Sequence, residues 1–165
     1  MLRTLFHPAT HFVTAASFIL ASAFGPPHIV VKPVTDPASA PAGAVFLLEG
    51  EHHSETDLLT LTGRAEAIVN GKRVTKPLML VKSSGGHYSV TKQWDAGAPW
   101  ILVIAAEQGE HGSHGVAEAL VKIDATGKVM SIDYPTAGWE GKNFTPKRTS
   151  AAVIEAALTR MVAQR

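Results

Sequence analysis

Hydrophobic and polar positions alternate with a period of two through most of the middle of the chain. Leu59, Leu61, Ala65, Ala67 and Val69 are interleaved with Thr60, Thr62, Arg64 and Glu66, the pattern of a strand with one buried and one wet face. Asn70-Gly71 follows, a pair suited to the positive φ angles of a tight hairpin turn, and the next strand is expected to start over Leu78 to Val81. Tyr88, Val90 and Trp94 then alternate with His87, Ser89 and Thr91, whereas Trp100 to Ala106 is apolar throughout and reads as a central strand covered on both faces. Ala117, Ala119, Val121 and Ile123 alternate with Glu118, Lys122 and Asp124, and Thr126-Gly127 turns the chain into a last strand over Lys128 to Tyr134. With turn signals every 8 to 15 residues and no sustained helical period, residues 44–134 are expected to form an all-β antiparallel sandwich of about seven strands.

The flanks differ from this body. After a connection over residues 135–148, Ser150 is placed to cap a helix within residues 149–165 whose stripe is Val153, Ile154, Ala157, Leu158, Met161 and Val162. Packing of that stripe against the sandwich is the plainer expectation; docking to a partner protein is the other. Trp139, outside the strands, is read as packing between the tail and the sandwich, with an exposed binding aromatic as the alternative. At the other end, Met1 to Ala23 combines Arg3, an apolar run over Phe12 to Leu20 and the small-x-small triplet Ala21-Ser22-Ala23, the makings of a signal peptide. The run is shorter than the roughly 20 residues that span a bilayer, so no transmembrane anchor is expected in the mature chain. Residues 24–43 carry five of the ten prolines and read as a proline-rich linker, with an edge strand open at Ile29 to Val31.

Composition narrows the function. At 165 residues, 45% hydrophobic and 18% charged, the chain suits one folded domain with short appendages. Fifteen Lys and Arg against 14 Asp and Glu leave a net charge of +1, without the basic footprint of a nucleic-acid binder. The absence of cysteine removes thiolate nucleophiles, iron–sulfur clusters, blue-copper sites and disulfides together, so a metal would fall to His, carboxylate or Met. No Gly-x-Ser-x-Gly elbow, phosphate-binding loop, dinucleotide fingerprint or His-Glu-x-x-His pattern occurs, and no catalytic residues are nominated. Glu49 and Glu51 share a strand face, where a solvated acidic edge is commoner than a glycosidase pair. The chain is therefore read as a non-enzyme.

Six histidines follow residue 23, and five of them fall near three turns: His52 and His53, His87, and His111 and His114. If successive strands alternate in direction, these turns emerge at the same end of the sandwich, while the turns at Asn70-Gly71, Asp95 to Ala98 and Ala125 to Gly127 lie at the other. Imidazole suits Cu²⁺ and Zn²⁺, and His111-x-x-His114 in a Gly-flanked loop can aim both rings at one ion. His52 or His53, and His87 or Glu110, would complete the set; neighbours in an extended strand point to opposite faces, so His52 and His53 would supply one ligand between them. The alternative is a hydrated polar loop without metal.

One resemblance bears on this. Gly71-Lys72-Arg73-Val74-Thr75-Lys76-Pro77-Leu78, then Gly86-His87-Tyr88-Ser89-Val90, Trp94, and Pro99-Trp100-Ile101-Leu102-Val103-Ile104 resemble the core of the YtkA-like and FixH-like exported immunoglobulin-like domains over about residues 44–124. Ala98-Pro99-Trp100 stands where Gly-x-Trp is usual in them. The resemblance implies an immunoglobulin-like fold and an extracytoplasmic accessory role, in some members linked to copper. The related CopC-type sandwiches bind copper through histidines near the mature N-terminus. Here His28 lies behind Pro26-Pro27, five residues beyond the expected cleavage point, so that type of site is not expected. The sequence thus leads to a secreted or periplasmic β-sandwich with a C-terminal helix that binds copper or zinc, or else an envelope protein partner.

Overall fold

Alternation is realised as two antiparallel sheets packed face to face. The computed structural model describes residues 27–51, 59–83, 86–109, 115–135, 139–140, 143–144 and 148–164. The first sheet contains β1 (His28–Pro33), β2 (Ala44–Glu51), β5 (Leu80–Lys82) and β6 (His87–Thr91), in the order β1-β2-β6-β5. The second contains β3 (Leu59–Val69), β4 (Lys72–Pro77), β7 (Trp100–Gln108), β8 (Gly115–Ile123) and β9 (Val129–Asp133), in the order β4-β3-β7-β8-β9. A two-residue hairpin, β10 (Trp139–Glu140) with β11 (Asn143–Phe144), precedes the helix α1 (Ala151–Ala163).

The inner positions of both sheets make the main core, in which Phe46, Leu48, Val90, Leu102, Ile104 and Val121 are buried. Trp100 is buried too, and its indole Nε1 donates to the Asp95 carbonyl at 2.9 Å, so the apolar ring is covered without stranding its N–H. As the sequence implies, β7 is central: its outer positions Ile101 and Val103 are also buried, because α1 lies across that face. The helix meets them with Ile154, Ala157, Leu158 and Met161. Each fully buried Leu or Ile of this set is worth roughly 1.5–3 kcal/mol, which a 13-residue helix needs to be stable at all. Ser150 caps it by accepting from Val153 N at 3.4 Å. The apolar stripe is therefore taken up by the sandwich, apart from the exposed Val153.

The structure corrects the sequence reading in three places. Nine strands build the two sheets among the described residues, where about seven were expected. The first sheet begins at His28, inside the segment read as linker, so the edge strand open at Ile29 to Val31 is the alternative realised, because Ile29 and Val31 point into the core. An edge strand tolerates the prolines that bracket this run, since the missing donors face away from the ladder. Val31 N instead donates to the Tyr134 hydroxyl at 3.2 Å, tying β1 to the end of β9.

The third correction concerns residues 72–82. The chain turns at Asn70 (φ 51°) and Gly71 (φ 72°) as expected, but β4 starts at once and pairs with β3 from Lys72 to Pro77. It then crosses between sheets without reversing direction. Leu78 N still donates to Gly63 O in the second sheet at 2.9 Å, while Met79 is held by a side chain. Gln93 Oε1 accepts from Met79 N at 2.8 Å and Gln93 Nε2 donates to Met79 O at 2.9 Å, an amide standing in for a ladder rung before β5 begins.

Residues 1–23 lie outside the described residues, as does the side chain of Trp139. No helix among the described residues is long and apolar enough to cross a membrane.

Candidate functional site

The strand ends that flank the histidine segments come from both sheets. Register places His28 opposite Glu51 and Glu49 opposite His87 in the first sheet. In the second, Leu59 lies opposite Gln108, and Gln108 opposite Gly115. The end of β2, the start of β3, the start of β6, the end of β7 and the start of β8 therefore gather at one end. These are the strand ends that flank residues 52–58, 84–85 and 110–114.

Two glycines let the sheets close there. A Cβ at Gly50 would lie 2.8 Å from Leu61 Cδ1 and 3.3 Å from Leu59 Cδ1, and one at Gly115 would lie 2.6 Å from Pro27 Cδ. Both contacts run between sheets, so the missing side chains bring β2 down onto β3 and β8 up to the chain entering β1.

Of the five nominated ligands, His87 is the one whose surroundings are described. It is exposed on the outer face of the first sheet, with Nδ1 3.6 Å from Glu49 Oε1. Glu49 is engaged from its other side by Lys32, whose Nζ donates to both carboxylate oxygens at 2.9 Å. The His87 carbonyl accepts from Ser83 N at 2.8 Å and Ser83 Oγ at 3.2 Å, which fixes the backbone where the chain enters β6. His52, His53, His111 and His114 lie outside the described residues. Among the described residues, no three His, Asp or Glu side chains come together in a group that could hold a metal ion.

Sequence reasoning set His28 aside as part of a linker. The structure places it at the start of β1, exposed and outward-facing, on the same sheet face as Glu49 and His87 and one strand to the other side of β2. The signal available was Ile29-Val30-Val31: once that run is taken as a strand with 29 and 31 inward, His28 must face out at the histidine-bearing end. The opposite end has a different character. There the turn after β8 is held by Asp124, whose Oδ1 accepts from Thr126 N at 2.8 Å, Thr126 Oγ1 at 2.6 Å and Lys128 N at 2.9 Å.

Comparison of the chain with protein-family models, with curated proteins and with solved structures finds no match.

Proposed function

We propose that this protein is an exported, non-catalytic accessory domain that holds one Cu²⁺ or Zn²⁺ ion at the histidine-bearing end of its sandwich. The observation that supports this reading is the gathering, at one end, of the strand ends that flank all three histidine segments. His111 and His114 would supply two imidazoles, His52 or His53 a third and His87 a fourth, with the strand ends as the rigid frame. The strand order β1-β2-β6-β5 over β4-β3-β7-β8-β9 supports an immunoglobulin-like reading of the sandwich, since it follows the ABED and CFG arrangement of such domains with added edge strands. Export through residues 1–23 would place the domain in the periplasm or outside the cell.

The test is titration of the untagged protein with Cu²⁺ and with Zn²⁺ against a competing chelator at neutral pH. One equivalent bound, lost in the double variant His111→Ala/His114→Ala and weakened in His87→Ala, is the expected result. Affinity no tighter than that of an ordinary pair of surface histidines would overturn it. A second reading, a module that binds an envelope protein, draws support from the outer face of the first sheet. Val81 of β5 is 55% exposed there and Met79, just before the strand, is 75% exposed, two apolar side chains that a partner could cover.

A further inference from the structure

At the end where β8 turns into β9, that turn, the start of β7 and the last turn of α1 border an open cleft of about 340 Å³. That volume lies at the small end of the range of ligand pockets, roughly 300–1,000 Å³. Its walls are largely apolar: Pro99, Ala125, Met130 and Met161. Met161 is buried at the edge of the helix interface, whereas Met130 is 51% exposed and leaves its thioether on the cleft wall. Methionines in this setting adapt to ligand shape and are polarizable toward charge.

The rim is electronegative for two independent reasons. Asp124 lines the cleft, and its Oδ1 accepts from Thr126 N, Thr126 Oγ1 and Lys128 N, which fixes the carboxylate at the rim. The Thr126 hydroxyl, followed by the Lys128 N–H, holds the Asp124 carboxyl below the usual carboxylate range, so it is charged at neutral pH. Gln164, the C-cap of α1, also lines the cleft. The C-terminal end of α1, the negative end of its dipole, therefore lies at the cleft. Arg160, in the last turn, sits at an exposed position of the helix and is not among the lining residues, and Lys128 contributes its backbone N–H to Asp124.

We propose that this cleft binds a small apolar cation of the aromatic or alkyl quaternary-ammonium class, with its apolar body against Met130, Met161 and Pro99 and its positive head between Asp124 and the end of α1. Nothing in this depends on a metal at the other end of the sandwich.

The four methionines make the test direct, because Met79 reports on an exposed surface remote from the cleft. Protein labelled with ¹³C at the methionine methyls is titrated with benzyltrimethylammonium at constant ionic strength, and in parallel with neutral benzyl alcohol. The expected result is saturable movement of the Met130 and Met161 methyl signals with Met79 unmoved, and weaker binding of the neutral probe. Asp124→Asn keeps an Oδ1 acceptor for the turn and should weaken the cation about five- to tenfold. Met130→Ala, which leaves the turn untouched, should weaken both probes. Absence of saturable shifts, parallel movement of Met79, or equal binding of the two probes with no effect of Asp124→Asn would each overturn the proposal.

Discussion

Glu66 shows how much one residue's role depends on what lies above it. The alternation along β3 puts it on the face opposite the core, and the sequence reading made that face wet; the structure buries it to 1% exposure beneath α1. A buried carboxylate needs partners, and Glu66 has Arg64 Nε at 2.7 Å, Arg73 Nε at 2.8 Å and a further short contact from Arg73. Arg73 also donates to Ala151 O at 3.2 Å, which ties the first residue of the helix to the same network. Arg73→Met should therefore cost about 2–3 kcal/mol, since it leaves the carboxylate one cation and frees the start of α1. Arg64→Met, which removes a single bond from a more exposed partner, should cost under about 1 kcal/mol. Urea unfolding of the two variants checks the order. Periodicity thus reports which face a side chain occupies and is silent on whether a later element will cover it. Two half-buried aspartates give a second prediction at this scale. The hydrogen bond from Lys122 holds the Asp133 carboxyl below the usual carboxylate range, as the Thr126 hydroxyl does for Asp124. A folded value below the unfolded one means stability that is fully present above about pH 4 and is lost as pH falls through the folded value. Asp133→Asn should accordingly lose less stability between about pH 4 and pH 2 than the parent, measured by urea midpoints across that range.

Among the elements, the helix and the hairpin after Asn70-Gly71 carry opposite lessons about legibility. The spacing of Ile154, Ala157, Leu158 and Met161 marks the buried face of α1 in the sequence itself, because a helix with one wide apolar stripe has one way to hide it. Leu158 is fully buried against the second sheet, so Leu158→Ala should cost about 2–4 kcal/mol in chemical denaturation. Removing residues 149–165 altogether would bare Ile101, Val103 and Leu120. The expected product is a poorly cooperative chain that binds a hydrophobic dye, distinguishable from a folded sandwich that has lost only a docking segment. By contrast, β4 was not legible. Its inward positions, by register with Val69, Ala67 and Ala65, are Lys72, Val74 and Lys76, so a strand that should read apolar on one face reads charged. The reason is its place at the sheet edge, where inward lysines discourage pairing with another chain. Lys76 there can leave the core and bond Asp95 Oδ2 at 2.7 Å. The start of the sandwich was legible only as an alternative, the edge strand open at Ile29 to Val31, because prolines around His28–Pro33 oppose a central strand and permit an edge one.

At the scale of the whole molecule, parity places the strand ends that flank the histidine segments, and it is unaffected by the two strands added to the expected seven. One lies before the counted set, at β1. The other arises where a single run was expected and β4 and β5 were found, but these run in the same direction through the crossing at Leu78 and Met79, so no reversal is added. The strand ends flanking residues 52–58, 84–85 and 110–114 consequently share one end, and Gly50 and Gly115 are what let the two sheets meet there. This gives the metal proposal a test that touches no imidazole. Gly50→Ala forces Leu59 and Leu61 away and should cost about 1–3 kcal/mol of stability through overpacking. It also moves the end of β2 against the start of β3, so metal affinity should fall severalfold with every histidine in place. Gly71→Ala is the matched control: at φ +72° with open space around it, it strains the opposite end by about 1 kcal/mol and should leave affinity unchanged. Equal affinity in the two glycine variants would mean that closure of the sheets does not position the ligands, and the frame argued for the site would be withdrawn.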